Sequence, residues 1–406
     1  MNKSNLKIKT VLAIVGGLFI GMGQMHADAT HGHSSNNDHG VYTVDKRATS
    51  RRFVSGEVLV KFKNSSPVTV QRVKGRYKAA SLQGVNSVLA AFGTEDMEQL
   101  MPNEVPNRSL RKVRSLNGGV IEEKDLSQLF LVKAKALTPD STLMLVDRLK
   151  ALGEVEYAEP NYKVYSLATD GETGTTDCDH YKKEPIYGQQ WGHDRLKLPF
   201  LWQQKKLSDK RPVIAILDTG VDITHPDLAG NIWTNSAEQE GIEEADDDNN
   251  GLADDLHGWD FVNQTGRIGD WNGHGTHCAG IAAAVGNNGV GIAGANPDAL
   301  LLPITVMQSD GTGDVATIIK GIDYAIACGA DVLSMSFGGY SYSIAEEQAL
   351  ANAYTNAVLV AAAGNDCRPI NPDEKCGVCM KWGAPMFPAA FTFVLGVEAS
   401  AEGGGR

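Results

Sequence analysis

Val213-Ile-Ala-Ile-Leu217-Asp218-Thr219-Gly220 decides the fold: an unbroken apolar run, then a carboxylate, then a turn. A strand with one wet face alternates apolar and polar residues. An unbroken run has no wet face, so it reads as a parallel strand covered on both sides. Residues 299–306, 330–336 and 358–363 repeat the pattern. Between them, Val315, Ile318, Ile319, Ile322 and Ile326 keep the i, i+3, i+4, i+7 spacing of an amphipathic helix, and 345–357 reads as a second helix. This alternation predicts an α/β fold, a parallel sheet with helices on both faces. Asp218 then falls at the carboxyl end of its strand, the edge where open α/β sheets carry their sites.

The chain has 406 residues, enough for two or three regions, and a formal net charge of −12. That balance speaks against a nucleic-acid partner, because phosphate contacts need clustered Lys and Arg. The acidic excess sits mostly after Ser166, with a dense patch from Glu238 to Asp255. Residues 1–29 read as a secretory signal peptide. Lys3, Lys7 and Lys9 precede an apolar stretch, 11–22, that is short for a membrane span, and Ala27-Asp28-Ala29 is a small-x-small cleavage site. The alternative is an uncleaved anchor. The signal implies a secreted, extracellular protein with no membrane attachment after its removal, in a compartment that permits disulfides. Of the six cysteines, Cys367, Cys376 and Cys379 crowd into one loop with Cys178 far upstream, and Cys278 and Cys328 lie in apolar helical patterns as buried thiols.

Residues 30–52 are His-, Ser- and Asn-rich and read as a disordered leader. Residues 53–166 form a separate small α+β domain. Residues 56–63 alternate like a half-buried strand, and 129–134 form a second strand. Thr138 and Pro139 open a helix through Leu143, Val146, Leu149 and Leu152, and 155–162 return to extended chain.

Asn272-Gly273-His274-Gly275-Thr276-His277 opens a run of small residues, Ala279, Gly280, Ala282, Ala283 and Ala284, that lets a helix pack closely on the sheet. A zinc-peptidase His pair would need Glu after the first His, where Gly275 stands. An aspartic protease would need a second Asp-Thr-Gly, and none occurs. Taken together, the Asp218 and His274 blocks resemble those of the subtilase family of serine proteases, and the chain order Asp then His matches it. The resemblance implies a serine endopeptidase acting on protein or peptide substrates. Asp218 would orient His274, the general base and acid, and Asn365, in Ala361-Ala-Ala-Gly364-Asn365, would donate to the oxyanion. It implies that Ser336, Phe337, Gly338 and Gly339 line the primary specificity pocket together with Gly364. It further implies that Gly311, Thr312 and Gly313 pair with the substrate backbone by strand addition. The domain at 53–166 resembles the family's inhibitory propeptide, a partner in cis for the catalytic domain 167–406.

Asp246-Asp-Asp248-Asn-Asn250-Gly251-Leu-Ala-Asp254-Asp255 sets hard oxygen ligands at alternating positions around a glycine turn, the chemistry of structural calcium. His257 stands where an EF-hand would close with Glu, so the stretch resembles a subtilase surface calcium loop. A fainter second site is Asp227 with Asn287 or Asn288. The family's third block, Gly-Thr-Ser-Met-Ala around the nucleophile, does not occur in these residues. The expectation is a chain truncated before its serine and inactive by itself. Ser334 and Ser336 cannot replace it, since neither sits in a strand–turn–helix elbow. The competing expectation is a non-catalytic protein of the same fold that binds peptides in its cleft.

Overall fold

The computed structural model describes residues 52–167, 184–185, 190–202, 210–365 and 385–398, apart from short breaks at 66–69, 74–75, 80–82, 103, 105–108 and 116–117. The signal and leader readings on residues 1–51 lie outside the described residues, as do Cys178, Cys367, Cys376 and Cys379. Cys278 is a buried free thiol, and Cys328 is free but only partly buried because it caps a helix rather than lying inside one.

Two sheets carry the chain. The first belongs to the segment before residue 167: β1 (Phe53–Phe62), β4 (Thr94–Gln99), β7 (Leu129–Ala134) and β8 (Val155–Ser166). Small hairpins, β2 (Val70–Val73) with β3 (Arg76–Ala79) and β5 (Lys112–Arg114) with β6 (Val120–Glu122), stand beside it. Helices α1 (Gln83–Ala91) and α2 (Pro139–Lys150) cover one face, burying Val58, Val60, Phe62, Leu89, Phe130, Leu145 and Leu149 in one cluster. Thr138 caps α2 by accepting from the Ser141 N–H, with Pro139 at the first turn.

After residue 190 come the short helices α3 (Trp191–Arg195), α4 (Leu198–Trp202) and α5 (Ser236–Glu240) and the elements of the second sheet. These are β9 (Val213–Asp218), β10 (Trp259–Asp260), β11 (Leu300–Thr305), β13 (Val332–Met335), β15 (Val358–Ala362) and β16 (Leu395–Val397). They form a six-stranded sheet in the order β10-β11-β9-β13-β15-β16, every pair parallel. Both faces are covered. Ile214 and Ile216 pack on α6 (His274–Ala283) through Ala279, Ala282 and Ala283. Ala215 and Leu217 face α7 (Val315–Ala327) through Val315, Ile318, Ile319 and Ile322, with α8 (Ile344–Tyr354) beside it. Every residue of β9 is buried, which is why its sequence has no polar alternation. Fully burying each of the larger apolar side chains stabilises the fold by about 1.5–3 kcal/mol.

The sheets meet. The far face of the first, with Leu59, Leu129, Leu131 and Tyr157, joins the same core cluster as α7 and α8. This corrects the reading of 56–63 as a half-buried strand: β1 is covered on both faces, and even Lys61 is buried. Strand β8 runs on beyond its own sheet. It pairs antiparallel with β12 (Thr312–Asp314) and with β14 (Phe337–Gly338), lying between two segments of the second half.

Candidate active site

Asp218 ends β9 at the carboxyl edge of the sheet, opposite Thr305 of β11. His274 is the first residue of α6, whose cap Gly273 has φ +94°. The two side chains lie side by side although 56 residues separate them: His274 Nδ1 is 2.7 Å from Asp218 Oδ1. Gly275 makes the approach possible. A Cβ there would stand 2.0 Å from the Gly220 carbonyl oxygen and 3.0 Å from Asp218 Cβ. Burial opposes a charged imidazole, but the hydrogen bond and charge of Asp218 outweigh it and hold His274 well above its ordinary range.

Asp270 fixes the start of α6. One of its oxygens accepts from the Asn272 and Gly273 N–H groups and the Thr219 hydroxyl, and the other from the Thr276 N–H and hydroxyl. Burial alone would raise its pKa, but these donors lower it, so it stays an acceptor. Thr219 closes the loop by accepting from the Gly275 N–H, tying the residue after the carboxylate to the residue after the imidazole. Sequence reading missed Asp270. Its signal was an acid three residues before the Gly273 cap, where an Asx side chain can take the first free N–H groups of a helix.

Cys278, one turn along α6, places Sγ 3.9 Å from His274 Nδ1. Burial and the charge of Asp218 raise its pKa, which favours the neutral thiol over the thiolate. Ser336 is buried at 3% exposure. Its carbonyl takes the Leu167 N–H at 2.9 Å, so its backbone faces the cleft. Asn365 follows β15, exposed at the same carboxyl edge as Asp218, with Gly364 at φ +106° before it.

The cleft itself is filled by the chain. Tyr165 and Val164 of β8 register with Thr312 and Gly313, and Ser166 and Tyr165 with Phe337 and Gly338. The Ser166 N–H donates to the Gly311 carbonyl at 2.9 Å. Gly311 has φ +79°, and a Cβ there would lie 2.5 Å from Ser166 Oγ, so the close approach requires glycine. Gly339 is not paired with β8 in this register; it bridges Phe387 instead.

The acidic loop is organised differently from its alternating pattern. The Asp246 oxygens accept from the Asn250 and Gly251 N–H groups, and both Asp254 oxygens accept from the Glu244 N–H, so these two carboxylates brace the turn. Asn250 points its amide nitrogen at Asp248 and Asp255. Asp248, the buried Asp255 and Glu238 bring carboxylate oxygens within 4.8 Å of one another. Glu238 was missed because it lies on α5, ten residues upstream of Asp248. At the fainter site, Asp227 accepts from Asn288 Nδ2 and the Ile292 N–H, while Asn287 makes the turn with φ +61°. Asn288, not Asn287, is therefore the partner of Asp227.

The model of the subtilase family, peptidase S8, matches residues 209–400. Residues 209–400 form a subtilase-family domain. The chain is 39% identical to thermitase from Thermoactinomyces vulgaris over 178 residues, 44% of this chain and 55% of that protein. It is 40% identical to the major intracellular serine protease of Bacillus subtilis over 204 residues, 50% of this chain and 54% of that protein. It thus spans about half the length of these relatives. Among solved structures it is similar to fervidolysin from Fervidobacterium pennivorans, a keratinolytic enzyme related to subtilisin, with a TM-score of 0.50 at 20% identity. That alignment covers 86% of this chain and 42% of fervidolysin. The last likeness speaks for the subtilisin-like fold alone. Among the described residues, no helix is long and apolar enough to cross a membrane.

Proposed function

We propose that this chain is the precursor of a secreted subtilisin-like serine endopeptidase, kept inactive by residues 53–166. The observation that carries the reading is the Asp218–His274 pair, 2.7 Å apart, with Nε2 of the same ring facing a peptide carbonyl in the cleft. In the structure both ring nitrogens face oxygen acceptors, so His274 carries both protons and donates from Nε2 to the Leu167 carbonyl. In this reading catalysis uses the neutral ring, in which Asp218 holds the Nδ1 proton and leaves Nε2 to exchange protons with the reacting groups. A serine hydroxyl passes its proton to Nε2 as its oxygen attacks the peptide carbonyl carbon. His274 then gives that proton to the leaving amine as the C–N bond breaks, and water releases the acyl group by the same route. Asn365 donates to the oxyanion. The serine is assigned to the family's third block, which is not among these 406 residues. The complete gene product should digest casein, and failure of the folded protein to do so would favour the peptide-binding alternative. Asn365→Ala should lower kcat by about 10²–10³-fold with little change in KM, the range found for oxyanion-hole donors, subtilisin's included. An unchanged kcat would remove Asn365 from the site.

The inhibitory reading of residues 53–166 is supported by their hold on both helices that flank the cleft. Glu159 accepts from Ser343 Oγ and the Ile344 and Ala345 N–H groups at the start of α8. Asn161 accepts from the Ala316 N–H at the start of α7 and donates to Asp314.

Calcium is part of the proposal. The donor set at Glu238, Asp248 and Asp255 fits a hard cation, because three carboxylates converge on one point and burial and Asp248 both push the Asp255 pKa up. Bound calcium would supply positive charge that holds α5 to the acidic loop. A site occupied at about a hundred times its Kd adds about 2.7 kcal/mol. EDTA should therefore lower Tm by roughly 5–10 °C, and Asp248→Asn should abolish that sensitivity. An EDTA-insensitive Tm would reject the ion.

A further inference from the structure

We propose that the peptide bond after Leu167, joining it to Ala168, is the maturation cleavage site of this precursor. The assignment rests on the protease reading above and adds the bond on which the enzyme first acts.

Register decides which bond is presented. In an extended strand, successive backbone groups point to opposite sides, and each residue advances the chain by about 3.3 Å. A strand fixed by hydrogen bonds on both sides can therefore offer only one carbonyl to a given catalytic atom. The Ser166 N–H is held by the Gly311 carbonyl on one side, at 2.9 Å, and the Leu167 N–H by the Ser336 carbonyl on the other, also at 2.9 Å. Upstream, Val164 is buried at 2% exposure, opposite Gly313, which stops the strand from sliding. The strand is anchored further back by Asn161, bonded to Glu57, Asp314 and the Ala316 N–H. With these contacts set, the carbonyl that meets the imidazole is that of Leu167, 3.2 Å from His274 Nε2. Sliding by one residue would break the bonds to Gly311 and Ser336 and move Val164 out of its buried position.

The step is a hydrolysis with water as the only co-reactant. The Leu167 C–N bond breaks, and Leu167 leaves as a carboxylate after an acyl-enzyme stage. The nitrogen of Ala168 takes a proton from His274 and becomes the new amino terminus.

The test is to express the complete gene product and follow its conversion by intact mass and amino-terminal sequencing from the earliest time points. The expected released piece ends at Leu167, and the expected enzyme begins at Ala168. Leu167→Asp should slow conversion by tenfold or more, and Leu167→Met should restore it. A synthetic peptide spanning residues 159–172 should be cut by the matured enzyme at the same bond. A casein-digesting enzyme whose first released piece ends elsewhere would overturn this assignment and leave the protease reading standing. A folded product that neither digests casein nor cuts itself would overturn both.

Discussion

Changing His274 to alanine in the complete gene product will abolish casein digestion, lowering kcat by about 10⁶-fold, the loss that removal of the histidine causes in subtilisin. The size follows from the geometry. His274 is the imidazole that joins the buried Asp218 to a peptide carbonyl, at 2.7 Å and 3.2 Å. Alanine removes the proton acceptor and the proton donor together. Gly275, Thr219 and Asp270 hold the turn through backbone and hydroxyl groups that the substitution leaves alone, so the fold should persist. An unchanged Tm together with lost activity is the expected pair of results. Casein digestion at wild-type rate would end the triad assignment. Asp270→Ala is the informative companion: it removes acceptors for five donors at the start of α6, and it should lower both Tm and kcat.

In the proposed precursor, the grip of residues 53–166 on the cleft will weaken as pH rises from about 5 to 8. Glu346 of α8 is buried at 1% exposure, and its Oε1 has no hydrogen-bond partner among the described residues. Burial first, then the charge of Glu159 from β8, raise its pKa from 4.5 to about 8. Glu159 is itself raised by burial, against the donors that it accepts from and the charge of Lys150. Tyr157, Tyr162 and Tyr342 are the phenols that sense Glu159, and all three are pushed up and stay neutral in the range concerned. A carboxyl raised on association binds a proton when the interface forms. The interface is then at full strength below the pKa that Glu346 has once the segment has left, declines as pH rises from there, and reaches its lower limit above about pH 8. Every tenfold gain in the proton affinity of Glu346 on association is a tenfold loss of grip at the alkaline limit. If Glu159 and the cover of the inhibitory segment raise that affinity by about ten- to a hundredfold, escape of the cleaved segment should be about ten- to a hundredfold faster at pH 8 than at pH 5. The recovery of peptidase activity after cleavage measures it directly. Glu346→Gln should flatten the dependence, and a steep pH profile retained in that variant would rule out the buried acid pair.

Much of this was legible in the sequence because the relevant physics is local. An unbroken apolar run such as β9 signals cover on both faces, and a carboxylate at its end signals the working edge of the sheet. The spacing of Val315, Ile318, Ile319 and Ile322 signals α7 in the same way. What escaped was set by contacts between distant segments. Strand β1 reads as half-buried by its own alternation, yet α7 and α8 cover its second face. Asp246 and Asp254 look like ligands by position but turn to backbone N–H groups, while Glu238 arrives from α5. The facing of Leu167 toward His274 depends on pairing across more than a hundred residues, which no periodicity encodes.

Strand β8 is hydrogen-bonded at once to the sheet of its own domain and to the cleft, so breaking one covalent bond at its end removes none of those contacts. Scission would instead turn an intramolecular plug into a separate ligand of its own enzyme. Before the cut its effective concentration at the cleft is fixed by the tether; after it, by how much of it is in solution. For the secreted enzyme proposed above, dilution into the surroundings would then be a timer for activity, and crowding at the point of release would postpone it.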